Sequence, residues 1–294
     1  MCALAGVDLF DVAAEPEVVR AAVRGFDRAE AWCANPPEWL DPGSARRPEL
    51  MVSITLSGDR HTQIAVVEMP VCISCDVCTD VCPPGSIVNG VVEDPICTGC
   101  GLCVAVCPPN CITLAPRETA PDVEACWEAG ARALEIHTGA AAPEELANIR
   151  PLAANWQKRG GLLSYSIDGQ QLGLGRAVAL ASELGERGVI LQADGKPISG
   201  MEGDRSTIPA LRLARAMLRR GTEAAVQVSG GANDRTGPLA NRHGVAIAGV
   251  GMGSFARRHA RPLDEKDDAQ TWRRAVEGLS ELVRSIQPEK AGVL

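Results

Sequence analysis

The sequence predicts an α/β fold: a TIM-barrel-like parallel (β/α) domain, lacking its first strand, with an α+β module inserted into it. Three observations predict this. Strand-length apolar runs alternate with helix-length amphipathic stretches over most of the 294 residues, as a parallel sheet with crossover helices requires. The runs read as near-continuously apolar, which fits strands covered on both faces. Eight of the twelve cysteines crowd between Cys72 and Cys107 and interrupt the alternation just after a strand. Removing that window leaves about 245 residues, close to the roughly 250 of an eight-stranded barrel.

The elements follow in order. Residues 1–6 read as the last turn of a helix stopped by Gly6, and a strand follows at 7–12. Pro16 then opens a helix over 16–32, at a position where proline is tolerated. The next strand is 50–56, and the cysteine window takes the place of the loop after it, where such folds accept insertions. Downstream come strands at 133–137, 162–167, 189–192, 225–228 and 245–250, with helices at 143–158, 173–184, 207–220 and 267–287. Gly160, Gly161 and Gly221 sit where helices stop. The division is 1–66 for the first part of the barrel, 67–118 for the inserted module and 119–294 for the remainder. Seven parallel strands would leave an unpaired edge. Either a first strand and most of a first helix are missing upstream, or an eighth strand is unrecognised, or the sheet is open.

Within the window, Cys72, Cys75, Cys78 and Cys82 form C-x2-C-x2-C-x3-C before Pro83, and Cys97, Cys100, Cys103 and Cys107 repeat it before Pro108. This is the bacterial ferredoxin run for two [4Fe-4S] clusters, whose fourth cysteine crosses to the other cluster. One cluster would take Cys72, Cys75, Cys78 and Cys107; the other would take Cys97, Cys100, Cys103 and Cys82. Four-cysteine zinc sites usually pair two C-x2-C knuckles across a longer gap. A disulfide framework needs an oxidising compartment. Asn89-Gly90, between Ile87-Val88 and Val91-Val92, is a two-residue hairpin signal. Cys2, Cys33 and Cys126 read as packing residues. Cys111, four residues after Cys107, could sit near a cluster, but with eight ligands already assigned it too reads as packing.

The net charge of -8 and an aromatic content of 3% exclude a nucleic-acid partner and aromatic membrane belts. No basic-then-apolar leader is present at the start. No window of about 18 apolar residues suits a membrane span. A cytoplasmic location without membrane insertion is the expectation. Residues 70–118 hold five acids against one base, so a redox partner docking there should be basic, unless the charge only solvates the surface.

Polar and glycine residues gather after the strands, at the working end of such a barrel. Gly230, Gly231, Gly251 and Gly253 lie where these folds bind phosphate; the alternative is that they make tight turns. His137 and Asp194 end two strands and would form an acid–base pair if they shared a pocket, or else are satisfied polar residues at strand ends. No nucleophile–base constellation is readable, so no catalytic residue is assigned.

The chain resembles the cyanobacterial light-dependent period (LdpA) family. The resemblance lies in residues 9–14, 50–53, the two cysteine motifs, Glu135-Ile136-His137-Thr138, and the stretches 192–200, 227–233 and 247–250. It implies an iron–sulfur protein that senses redox state and adjusts circadian period in response to light, relaying cluster state to a clock or signalling partner. Members of the family carry a further strand and helix upstream. The expectation is a redox-sensing, electron-accepting protein rather than an enzyme. The alternative is an iron–sulfur oxidoreductase with a phosphate-bearing, flavin-like cofactor or a substrate in the barrel.

Overall fold

The structure is a computed structural model that describes residues 1–56, 63–82, 85–93, 97, 99–116, 121–195, 204–260, 263 and 266–286. The strands in chain order are β1 (Leu9–Ala13), β2 (Glu49–Thr55), β3 (Gln63–Val67), β4 (Ile87–Val88), β5 (Val91–Val92), β6 (Ile112–Pro116), β7 (Ala133–His137), β8 (Leu162–Asp168), β9 (Val189–Asp194), β10 (Ala225–Ser229) and β11 (Gly249–Val250). The helices are α1 (Pro16–Ala34), α2 (Val77–Asp80), α3 (Leu102–Val106), α4 (Val123–Ala129), α5 (Pro143–Lys158), α6 (Gly169–Leu172), α7 (Leu174–Leu184), α8 (Asp204–Arg219), α9 (Thr236–Arg242), α10 (Ser254–Ala260) and α11 (Ala269–Ile286).

Seven strands form one all-parallel sheet in the order β1-β2-β7-β8-β9-β10-β11. Sequential order means that every crossover runs the same way, as in a (β/α) barrel and unlike a doubly wound sheet. The sheet is curled. Laid flat, its first and last strands would lie about 29 Å apart at the usual strand spacing. Yet Trp32 of α1, which follows β1, meets Trp272 of α11, which follows β11, with ring centroids 5.1 Å apart. The Arg28 guanidinium lies over both rings. Ala5, just before β1, packs with Leu279 and Leu282 of α11 and with Met252. The helices thus approach closure around a half-barrel of seven strands. Among the described residues nothing pairs with the outer edge of β1 or β11.

Residues 1–6 form a helical turn. The Ala5 N–H donates to the Met1 carbonyl at 3.0 Å, and the Val7 N–H to that of Cys2 at 3.2 Å. Gly6 sits at φ 77°, which is a Schellman stop. The last strand is shorter than read. The run at 245–250 yields only Gly249–Val250, because the Val245 N–H donates to the Ala240 carbonyl and closes α9.

One reading of the strands is corrected. They are not uniformly apolar but alternate. Phe10 and Val12, Leu50, Val52 and Ile54, Leu134 and Ile136, Leu163, Tyr165 and Ile167, Leu191 and Ala193, and Val226 and Val228 all pack into one core with the helices. The residues between them face the hollow of the sheet, and most are polar: Asp11, Ser53, Glu135, His137, Ser164, Ser166, Gln192, Asp194, Gln227 and Ser229. The period-2 signal of a strand was hidden by apolar inner residues such as Leu9, Met51 and Ile190.

The described residues between 63 and 116 form a small α+β unit between β2 and β7, with its own core of Ala65, Ile87, Ile112 and buried cysteines. Its sheet begins at Gln63, pairing antiparallel with Pro116, so β3 belongs to this unit although the boundary was read at 67. Among the described residues no helix is long and apolar enough to cross a membrane.

Candidate functional site

The small unit is a structural repeat offset by 25 residues. Helix α2 matches α3, and the left-handed residues recur at the same offset: Ser74 with Gly99, Asp76 with Gly101, Gly85 with Asn110. Three of these are not glycine and carry φ of 52°, 56° and 53°. Left-handed backbone costs an ordinary residue about 1 kcal/mol or more, and persists where the surroundings impose it. In each half the chain turns left-handed twice inside the cysteine loop, enters a helical turn and exits through a turn closed by N–H donation to the Cys82 or Cys107 carbonyl. The hairpin forms as the spacing predicts, with Val88 opposite Val91 and Asn89 and Gly90 both left-handed. This is a type I′ turn.

These loops enclose two cavities. The first, about 350 Å³, is lined by Cys72, Cys75, Cys78 and Cys107, with Cys111. The second, about 320 Å³, is lined by Cys82, Cys97, Cys100 and Cys103. Cys111 aside, each cavity therefore draws three thiols from one loop and one from the other. Burial pushes the Cys103 thiol up to about 11, and the nearby Cys100, Cys97 and Cys82 add to the rise. Thiols crowded this way ionise only when positive charge shares the space. Among the described residues no group of three or more Cys, His, Asp or Glu converges on a point that would hold a single metal ion. Pro83 lies outside the described residues.

The residues just after the crossing cysteines differ. The Ser86 hydroxyl lies 3.2 Å from the Cys82 Sγ, which also accepts the Ser86 N–H at 3.3 Å. At the equivalent place the Cys111 Sγ lies 3.4 Å from the Cys107 Sγ. Cys111 is buried, but it lines the first cavity rather than only packing the core. Of the other cysteines, Cys126 is fully buried, and Cys2 and Cys33 are half-buried.

Around the first cavity the surface is apolar and acidic. Met69, Val71, Ile73, Val88 and Val91 are all exposed. A Cβ on Gly90 would sit 3.0 Å from the Met69 Sδ and 3.7 Å from the Cys72 Sγ. The hairpin tip thus lies against this cavity. Glu68, Asp76, Asp80 and Glu93 belong to the same unit, and residues 63–116 contain no Lys or Arg.

The second constellation is the hollow of the half-barrel. The Ser53 hydroxyl donates to Asp11 at 2.6 Å, with Glu135 at 3.4 Å. Gln192 donates to Glu135 and accepts from Gln227 at 2.9 Å. The His137 Nε2 lies 3.7 Å from the Glu135 Oε1. One layer higher, the hydroxyls of Ser166 and Ser229 both donate to Asp194. Burial pushes the Asp194 carboxyl above its ordinary value, while the two hydroxyls and His137 hold the rise back. His137 and Asp194 thus share this face and act on each other electrostatically. Burial first, then Glu135, pushes the Asp11 carboxyl up to about 7. Asp11 itself is exposed along the open sheet edge, and solvent there weakens that effect. Reading the sequence for motifs missed Asp11, Ser53, Glu135, Gln192 and Gln227. The signal was alternation, with polar residues at every second position of 133–137, 162–168 and 225–229.

The predicted phosphate glycines lie beside this face. Gly230 and Gly231 are left-handed, and the Gly231 carbonyl accepts from Ser206 at 2.8 Å. The Gly251 N–H already donates to the Val228 carbonyl at 2.8 Å, so it does not face an anion. Gly253 follows two residues later on an exposed turn. Lys196 to Gly200 lie outside the described residues.

Comparison with known proteins places the chain. The family model of the light dependent period A C-terminal domain matches residues 126–289. Light dependent period A of Synechococcus elongatus is 31% identical over 316 aligned residues, covering 97% of this chain and 78% of that protein. Among solved structures, the YdjI aldolase from Escherichia coli K12 aligns with 97% of this chain and 92% of its own, at 13% identity and a TM-score of 0.42. The matched domain and the full-length relative together span both the half-barrel and the cysteine unit, and the chain belongs to the light dependent period A family.

Proposed function

We propose that this protein is an iron–sulfur redox sensor that modulates circadian period, with two [4Fe-4S] clusters in the small unit. One observation carries the reading: the eight cysteines divide between two cavities as 72/75/78/107 and 82/97/100/103. Crossed ligation between two such motifs requires that division. A four-iron cluster takes thiolates spread around its corners rather than converging on a point. Each cluster would accept or release one electron. The chain's own contribution is to hold four thiols around each cavity and to offer the Ser86 hydroxyl and N–H to the Cys82 sulfur. Such hydrogen bonds tune the reduction potential. The circadian role follows from membership of the family and from the name of its Synechococcus member.

The partner we propose is a redox or signalling protein with an apolar centre and a basic rim. It would dock over Met69, Ile73, Val88 and Val91 beside the first cavity, where the unit carries only negative charge.

The test is anaerobic reconstitution of the full chain. About eight irons per chain and a broad absorbance near about 400 nm are expected. Cys100→Ala should lose about four of those irons, and Cys126→Ala should lose none. A reconstituted chain without iron sinks the reading.

A second reading is supported by the polar hollow: a small ligand bound inside the half-barrel, as an oxidoreductase would need. The carboxyls of Asp11, Glu135 and Asp194 bring no positive charge to hold a phosphate and suit a ligand rich in hydrogen-bonding groups. This weighs against a phosphate-bearing flavin in that hollow. Flavin released from gently purified protein would reverse that preference.

A further inference from the structure

We propose that Cys111 is an exchangeable ligand of the first cavity, able to take the place of Cys107, and that the second cavity has no such reserve. This rests on the iron–sulfur reading above.

Four thiols suffice for a cubane, yet the first cavity is lined by five. The fifth is not a distant packing residue: its Sγ is 3.4 Å from that of Cys107, and it is only 3% exposed. The turn between them sets this contact. Asn110, at φ 53°, donates its N–H to the Cys107 carbonyl and folds residue 111 back beside residue 107. The other half of the repeat is an internal control. Gly85, at φ 71°, makes the same turn on Cys82, and the residue returned is Ser86, 3.2 Å from the Cys82 Sγ. The left-handed residue and the hydrogen bond that closes the turn recur in both halves, while the delivered atom differs. A serine hydroxyl is a hydrogen-bond donor to a thiolate but a poor ligand for iron, whereas a cysteine sulfur is a good one.

The exchange balances without any redox partner. The Cys111 thiol gives up its proton and its sulfur binds the iron that Cys107 releases. The Cys107 thiolate takes up a proton, and no electron changes hands. The first cavity can therefore move one ligand by the length of a side chain, and the second cannot. That difference places any ligand-linked structural response beside the exposed apolar surface rather than in the other half.

The experiment counts iron and inorganic sulfide, with absorbance spectra, after anaerobic reconstitution of full-length variants. Cys107→Ala should keep about eight irons, because Cys111 substitutes. Cys82→Ala should fall to about four, because Ser86 cannot substitute. The double variant Cys107→Ala/Cys111→Ala should also fall to about four, and Cys111→Ala alone should keep about eight. A gain-of-function variant guards against simple misfolding: Ser86→Cys added to Cys82→Ala should restore about eight. Wild-type protein with about eight irons and Cys107→Ala with about four would overturn this proposal alone. Failure of Ser86→Cys to restore iron would also overturn it. Wild-type protein without iron would overturn both this proposal and the reading it rests on.

Discussion

Asp11→Asn should stabilise the half-barrel at high pH and have little effect at low pH. Asp11 lies on the edge strand facing the hollow, with the Ser53 hydroxyl at 2.6 Å. Burial, and next the charge of Glu135, pushes its carboxyl up from 3.8 to about 7. The folded state therefore holds a proton that the unfolded chain has already lost. The associated stability is present at acid pH and is lost as pH rises through 7. Between pH 5 and 8 the group crosses about two units of that window, worth about 2.7 kcal/mol at 1.36 kcal/mol per unit. The residue is exposed at the sheet edge, and screening there reduces the effect to about 1 kcal/mol. Asparagine keeps an acceptor for Ser53 and removes the charge. The assay is urea unfolding followed by tryptophan fluorescence. All five tryptophans (residues 32, 39, 127, 156 and 272) lie outside the cysteine unit, so the signal reports the half-barrel alone. The variant's advantage over wild type should grow by about 1 kcal/mol from pH 5 to pH 8. An advantage that stays constant, or shrinks, refutes the reasoning.

Three further outcomes are expected. Trp156 is 2% exposed and stacks edge-on against Trp127 at 4.8 Å, so Trp156→Ala should cost about 3–5 kcal/mol in the same assay. Its indole N–H has no hydrogen-bond partner, so Trp156→Phe should cost much less, and equal costs would contradict the packing account. Gly90→Ala places a Cβ at φ 75° against the Met69 Sδ; hydrogen exchange at Val92 and Glu93 should rise about fivefold, the equivalent of about 1 kcal/mol. Electron transfer to a basic c-type cytochrome, used as a probe of the acidic unit, should slow markedly as ionic strength rises. A rate indifferent to salt would remove the electrostatic argument for the docking surface.

The order of elements was legible in the sequence because it is written locally. Proline at 16 and 143 starts α1 and α5, and glycine at 160 and 221 follows α5 and α8. The Asn89-Gly90 turn needs only its own two residues to define it. The half-barrel's seven strands came out in sequence order because crossovers between neighbouring parallel strands are one-handed, even the long one from β2 to β7 that carries the cysteine unit. The hollow was harder to read. Its polar residues come from six strands, one or two from each, and none forms a motif. Ser53 meets Asp11 across 42 residues and Gln192 meets Glu135 across 57. Cys111 packs in the small core as expected, but that its sulfur lies against Cys107 could not be read from spacing, which does not say which way a side chain points.

The cysteine spacing by itself determined that two groups of four thiols exist, because three-residue steps keep successive side chains in one loop. It also determined, through 20 prolines, 30 glycines and strand-length apolar runs, a chain of parallel strands and helices. Tertiary structure alone decided which side of each strand is polar in common, since parallel register and curl bring every second residue into one hollow. It also decided that Cys111 faces Cys107 where Ser86 faces Cys82. That choice rests on a left-handed turn at Asn110, whose geometry the neighbouring helix and strand impose.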